Sequence, residues 1–211
     1  MLSVVKNEFF GESPQRRDAS RRPHSFPHLN CMKTWIALFR GINVGGKNTL
    51  PMAKLRDDLE TLKLKNVRTH IQSGNIVFDA TAKTANSISK KIKRRIEDRH
   101  GFEPKILILS QDELVAAVEA NPFPEAQSDP KTLHFFFLAQ SASGPNMDAI
   151  ESARKATENF KLADRVFYLH APEGIGRSKL AANVEKHLGV ATTARNFRTV
   201  EKLMAMVGGN G

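Results

Sequence analysis

Residues 67–79 read VRTHIQSGNIVFD: two short runs of strand-forming residues joined across Gln72-Ser73-Gly74. Val67 to Ile71 and Asn75 to Asp79 therefore read as a strand pair with a glycine turn between them. What flanks this pair decides the fold. Upstream, Pro51 to Leu62 places Met52, Leu55, Leu59 and Leu62 on one helical face, with Pro51 at a favoured first-turn position. Before that helix, Thr34 to Phe39 (TWIALF) reads as a buried strand. Downstream, Thr84 to His100 is a helix with Ile88, Ile92 and Ile96 at four-residue spacing, stopped by Gly101, and Lys105 to Leu109 is the next strand. The order β-α-β-β-α-β matches the ferredoxin-like arrangement, an antiparallel sheet with two helices on one face.

A helix starting at Ser110-Gln111-Asp112-Glu113 closes this unit, and Asn121-Pro122-Phe123-Pro124 breaks the chain after it. A second unit follows. Leu133 to Leu138 is a strand, Asn146 to Thr157 a helix, and Arg165 to His170 another strand. The loop from Pro172 to Gly176 leads into a helix ending near Leu188, and Thr193 to Met206 reads as a last helix. The expected class is α+β: a ferredoxin-like unit over residues 32–120, then a second, degenerate α+β unit with an antiparallel sheet over 121–211, packed on the first. The second unit begins as a β-α-β variant of the first, which suggests a degenerate duplication.

Residues 1–31 have the composition of a disordered extension, mixing Gly, Ser, Pro and Arg without periodicity. Met32 is the expected functional start, so a deletion beginning there should fold. His24, His28 and Cys31 have metal-like spacing but no scaffold to fix a coordination geometry, and no metal is expected. With one cysteine the chain forms no internal disulfide, which fits a reducing, cytoplasmic setting. No apolar run approaches the roughly 20 residues that span a bilayer, so no membrane partner is expected. The net charge is +10, which favours anionic partners such as phosphates or nucleic acid without specifying one. Six of the basic residues fall in KKIKRRIEDR, Lys90 to Arg99, on the outward side of the isoleucine face. They serve either as a solvated face or as a phosphate-contacting patch.

Four polar clusters carry the candidate chemistry. The first is RGINVGGKN, Arg40 to Asn48. Its Gly41-x-x-x-x-Gly46-Lys47 spacing approaches a phosphate-cradling loop, but Asn48 stands where a hydroxyl would hold magnesium, and Pro51 starts the helix too late. A structural glycine turn and an anion-binding turn both fit it. The second is Gln72-Ser73-Gly74-Asn75, a hairpin turn whose two amides could read a ligand edge or tie the turn to the first loop. No Gly-x-Ser-x-Gly elbow supports a nucleophilic Ser73. The third, Gly174 to Leu180 (GIGRSKL), leads glycines into a helix start carrying Arg177, Ser178 and Lys179, which suits an anion. The fourth, TTARNFRT, gives Thr193 a helix-capping role or lets Arg195 and Asn196 face a ligand.

Together RGINVGGKN, IQSGNIVF, GIGRSKL and TTARNFRTVEKL closely resemble the bacterial family called domain of unknown function 1697, over about residues 32–207. Members commonly carry Thr-Thr-Arg-Asn-Trp; here Ala194 interrupts and Phe197 replaces the Trp. The resemblance implies an α+β protein with ferredoxin-like elements and supplies no catalytic residues.

The expected function is binding of a phosphorylated small molecule or nucleic acid through glycine-rich polar loops. The ligand-binding candidates are Arg40, Asn43, Gly45, Gly46, Lys47, Gln72, Ser73, Asn75, Arg177, Ser178, Lys179, Arg195, Asn196 and Thr199, predicted to wall one pocket. Two other readings stand beside it: an enzyme acting on an anionic substrate, and a structural or interaction protein with no ligand. The candidates are rich in amides and cations and poor in groups for proton transfer, so no cofactor is implied and electrostatic stabilisation fits them better than acid–base work. Against base stacking, the strand from Asn75 to Asp79 offers only Phe78.

Overall fold

The computed structural model describes residues 32–46, 48–72, 74–82 and 84–209. The expectations for residues 1–31, for Lys47 and for Ser73 lie outside the described residues. The first half runs β1 Lys33–Arg40, α1 Met52–Thr61, β2 Lys65–His70, β3 Asn75–Ala80, α2 Ala85–His100, β4 Lys105–Ser110 and α3 Gln111–Glu119. The second half runs β5 Leu133–Leu138, α4 Met147–Ala153, β6 Asn159–Ala163, β7 Val166–His170, α5 Lys179–Leu188, β8 Thr192–Asn196 and α6 Phe197–Val207. Each half builds one four-stranded antiparallel sheet, in the orders β2-β3-β1-β4 and β6-β7-β5-β8. The two orders are the same once the strands of each half are numbered from its own start.

Strand alternation explains the layering, because successive side chains on a strand point to opposite faces. On β1, Trp35, Ala37 and Phe39 pack outward with Leu55 and Leu59 of α1 and Ile88, Ile92 and Ile96 of α2. Ile36 and Leu38 point inward, to a core shared with Phe135, Phe137 and Tyr168 of the second sheet. Between these inner faces lie Leu114 and Ala117 of α3 and Phe197, Val200, Leu203 and Met206 of α6. The far face of the second sheet, with Phe136, Leu138, Phe167 and Leu169, packs on Ile150 of α4 and on Leu180, Val184 and Leu188 of α5. Helix ends follow their expected chemistry. Ser110 and Glu113 form a reciprocal capping box on α3, and Gly101 ends α2 at φ 74°.

Three expectations need correction. The helix expected from Thr193 to Met206 begins only at Phe197, and its first residues form β8, pairing along β5 from Thr192↔Leu138 to Asn196↔His134. Asn196, not Thr193, caps α6 by accepting from the Thr199 amide at 3.1 Å. The helix expected from Asn146 to Thr157 stops at Ala153, where Arg154 turns extended at ψ 135°. The segment beyond it includes β6, an edge strand whose partly exposed NFKLA lacks a clean alternation, so the second half is fuller than a β-α-β variant. Among the described residues no helix is long and apolar enough to cross a membrane.

Candidate functional site

Asn43 organises the first glycine loop. At φ 55° it adopts the left-handed conformation that asparagine tolerates better than most residues. Its amide nitrogen donates to the carbonyls of Leu50 and Gln72, both at 2.9 Å, and its oxygen accepts from the Leu50 amide at 2.7 Å. Asn48 closes the same loop by donating to Gly41 O at 3.1 Å. The loop is thereby tied to the β2–β3 turn, where the Phe39 amide donates to Gly74 O at 2.8 Å. A Cβ on Gly74 would lie 2.5 Å from Phe39 Cβ and 2.7 Å from Ile42 Cδ1, and its φ is 71°. Only glycine fits there.

Two arginines beside the glycine loop cross between the halves. Arg40, at the end of β1, donates to the Glu185 carboxylate on α5 and to the Thr192 carbonyl at 2.8 Å. Arg195, on β8, donates to the Asn75 side-chain oxygen, to Phe39 O at 2.6 Å and to Ala194 O at 2.8 Å. Burial pulls the Arg195 guanidinium down to about 10, still charged at neutral pH. Burial alone would raise the Glu185 carboxyl. Its hydrogen bonds from Arg40 and the Thr192 amide, with the charges of Arg40 and Lys105, outweigh that and lower it.

Beside these arginines lies an open cleft of about 420 Å³ along α5 and β8. Its polar lining is Arg40, Ser178, Glu185, Thr192, Thr193 and Arg195, over an apolar floor that includes Phe136 and Ala194. Ser178 is buried, and its hydroxyl accepts from the Ala181 amide at 2.9 Å to cap α5. Glu185 is the one carboxylate among the described lining residues, and Arg40 already engages it. The lining suits holding an anion against cations and hydroxyls more than moving protons. A smaller cavity of about 200 Å³, lined mainly by apolar residues of α3, β5 and β7, contains none of the candidates.

The candidates therefore separate. Arg40, Ser178 and Arg195 line the cleft, and Asn75, fully buried, holds Arg195 from behind. Asn43 is occupied inside its own loop, and Gly45, Gly46 and Gln72 are exposed there and on the adjoining turn, away from the cleft lining. Arg177 and Lys179 are exposed at the start of α5 but do not line it. Asn196 and Thr199 serve the α6 cap. Thr192, Thr193 and Glu185 are the polar lining groups the sequence did not mark as ligand-facing. Thr193 was obscured by the helical reading of TTARN, and Glu185 had no local signal because its partner Arg40 lies 145 residues away.

The family described as "Protein of unknown function (DUF1697)" matches residues 32–168, from β1 into β7. The chain is also similar to a solved structure, the conserved bacterial protein SP0830 from Streptococcus pneumoniae. That likeness has 26% identity and a TM-score of 0.64, and covers 84% of this chain and 99% of that one. No curated protein matches.

Proposed function

We propose that this chain, which belongs to the family of unknown function DUF1697, binds a small phosphorylated anion in the cleft between α5 and β8. The observation that carries the reading is convergence. Arg40, from the first half, and Ser178 and Arg195, from two elements of the second, line one cleft. An anion there would offset the desolvation of Arg195 and meet the amino end of α5. The glycine loop acts as scaffold in this reading. We place the protein in the cytoplasm, on the strength of its single cysteine. The strand order supports a ferredoxin-like first unit, and we draw the boundary between two packed units at residues 120 and 121.

Calorimetric titration with inorganic phosphate, pyrophosphate and nucleotides tests the proposal. Binding to at least one of them is expected, weakened about tenfold or more in Arg40→Ala, the size of a lost charge-assisted contact. Absence of saturable heat at low ionic strength would sink it, as would unchanged affinity in a folded Arg40→Ala protein. A structural role without ligand has its own support, because the hydrogen bonds described for Asn43 all go to the chain itself. Asn43→Ala separates the two readings: lost stability with retained anion affinity assigns the loop to folding and leaves the cleft standing.

A further inference from the structure

Basic residues are not equally spent across this molecule. On α2, which carries the densest basic run, Lys93 pairs with Glu103 at 2.7 Å, Arg94 with Asp98 at 3.8 Å and Arg99 with Asp58 at 3.2 Å. Lys90, Lys91 and Arg95 of the same helix have no ion pair among the described residues, and a second set of cations without one lies at the opposite edge of the sheet. β2 is an edge strand, and a bulge between Lys65 and Arg68 sets Arg68 opposite Val77 and His70 opposite Asn75. Val77 belongs to the inner core, so Arg68 and His70 point to the inner side as well, toward α6. On α6, Arg198 and Lys202 lie one turn apart and exposed, and their charges act on His70, whose pKa is lowered by burial first and then by Lys202 and Arg198. Among the described residues no ion pair involves Arg68, Arg198 or Lys202. The Nε of Arg68 is buried and has no hydrogen-bond acceptor. Arg68 also borders a shallow groove toward α1, with Arg56, Glu60 and Asn66.

We propose that the β2 edge and α6 form a track for the phosphate backbone of a single-stranded nucleic acid, contacted by Arg68, His70, Arg198 and Lys202. The site is separate from the α5–β8 cleft and does not rest on a ligand there. Arg68 lies on the edge strand, and Arg198 and Lys202 on α6 stand about 6 Å apart along the helix axis, at about 1.5 Å per residue. That arrangement suits a repeating polyanion better than a single phosphate. Ile71 supplies a second observation. This β-branched residue follows β2 at φ 52°, a conformation costly for its type, and 55% of its surface is exposed. At the end of the track it offers an apolar face to a base. With no Phe, Tyr or Trp among these contacts, binding should be insensitive to sequence and steeply dependent on salt.

Fluorescence anisotropy with a labelled oligothymidylate, titrated over a salt series, tests the track on the full chain. Tightest binding is expected at low salt. Replacing both Arg198 and Lys202 with Ala should flatten the slope of log affinity against log salt by about 1.4, at roughly 0.7 per lost phosphate contact on a single strand. Arg198→Glu combined with Lys202→Glu should weaken binding at least about tenfold at low salt while leaving the melting curve in place, since both side chains are exposed. Lys90→Glu with Lys91→Glu, on α2, is the control for net charge, and Arg40→Ala is the control for the cleft; both should keep most of the affinity. Equal loss in the α2 control would overturn the track, as would an unchanged slope in the Arg198/Lys202 variants or no binding at low salt. Salt-dependent binding to phosphatidylserine vesicles with none to the oligonucleotide would assign the surface to lipid headgroups and overturn it too.

Discussion

At the end of β1 the Phe39 amide donates to Gly74 O at 2.8 Å, and at the end of β5 the Leu138 amide donates to Arg165 O at the same distance. Gly74 and Arg165 thus hold matching places, each just before the third strand of its half. The neighbouring carbonyls are served differently. In the second half Arg165 donates to Leu138 O and Ala139 O, both at 3.1 Å, and reaches Glu113 of α3 at 2.7 Å. In the first half the matching residue has no side chain, and the guanidinium that reaches Phe39 O comes from Arg195 on β8. The carbonyls at one strand end are met by an arginine of the same half, which also reaches α3, and the carbonyl at the other by an arginine of the opposite half.

The largest effect should come from Gly74→Ala. A left-handed conformation costs an ordinary residue about 1–2 kcal/mol, and forcing a methyl group against Phe39 and Ile42 adds about 1–3 kcal/mol. A loss of roughly 3–4 kcal/mol is expected from urea denaturation. A loss below about 1 kcal/mol would mean the two strand ends are not closed in the way described.

Arg195→Met comes next. It leaves the Asn75 side chain and the Phe39 carbonyl buried without their cation, at about 1–3 kcal/mol for stranded polar groups. Arg165→Met should cost less, about 1 kcal/mol, because Arg165 and Glu113 are each about a third exposed and solvent screens their pairing. Equal losses in the two variants would erase the distinction between the halves. Arg40→Ala should be smaller again, within about 0.5 kcal/mol, since its pairing with Glu185 is 40% exposed on both sides. That makes Arg40 a fair probe of binding, because its loss should leave the fold in place.

The same contrast explains what the sequence disclosed. Elements built on local periodicity were readable: Ile88, Ile92 and Ile96 are all buried, and β1 lies where TWIALF placed it. β8 was not readable, because strand passes into helix at Asn196 with no breaker, and this residue both ends β8 and caps α6. β6 escaped for want of alternation in its partly exposed edge. At the site, the tie between QSGN and the first loop was one of two roles its residues suggested, and Asn43 makes it. The contact of Arg195 with Asn75 spans 120 residues and depends on two sheets meeting, so no local pattern encodes it. Arg68, His70, Arg198 and Lys202 were missed for a different reason. The eye goes to a run such as KKIKRRIEDR, whereas Arg68, Arg198 and Lys202 stand singly on β2 and α6 and form no run.

The smallest effect, and the finest test of the comparison, is acid sensitivity. Among the described residues each half has one histidine that is held below the ordinary histidine pKa: His70 on β2 and His134 on β5. For both, the unfolded chain takes up a proton before the folded one. Their contribution is therefore present above about pH 6.5 and is lost as pH falls from there through the lower folded values. The causes differ. Burial lowers His134, against a smaller opposing hydrogen bond to the Thr132 carbonyl, whereas burial, Lys202 and Arg198 together lower His70. Added salt screens the cation contribution but not desolvation. Urea midpoints measured from about pH 8 to about pH 5, at low and high salt, should show acid destabilisation in the parent protein, reduced in both His70→Gln and His134→Gln. Salt should relieve only the part that disappears with His70→Gln. If the salt-sensitive part followed His134 instead, the cations of α6 would not be acting on β2, and the surface assigned to a polyanion would lose its electrostatic basis.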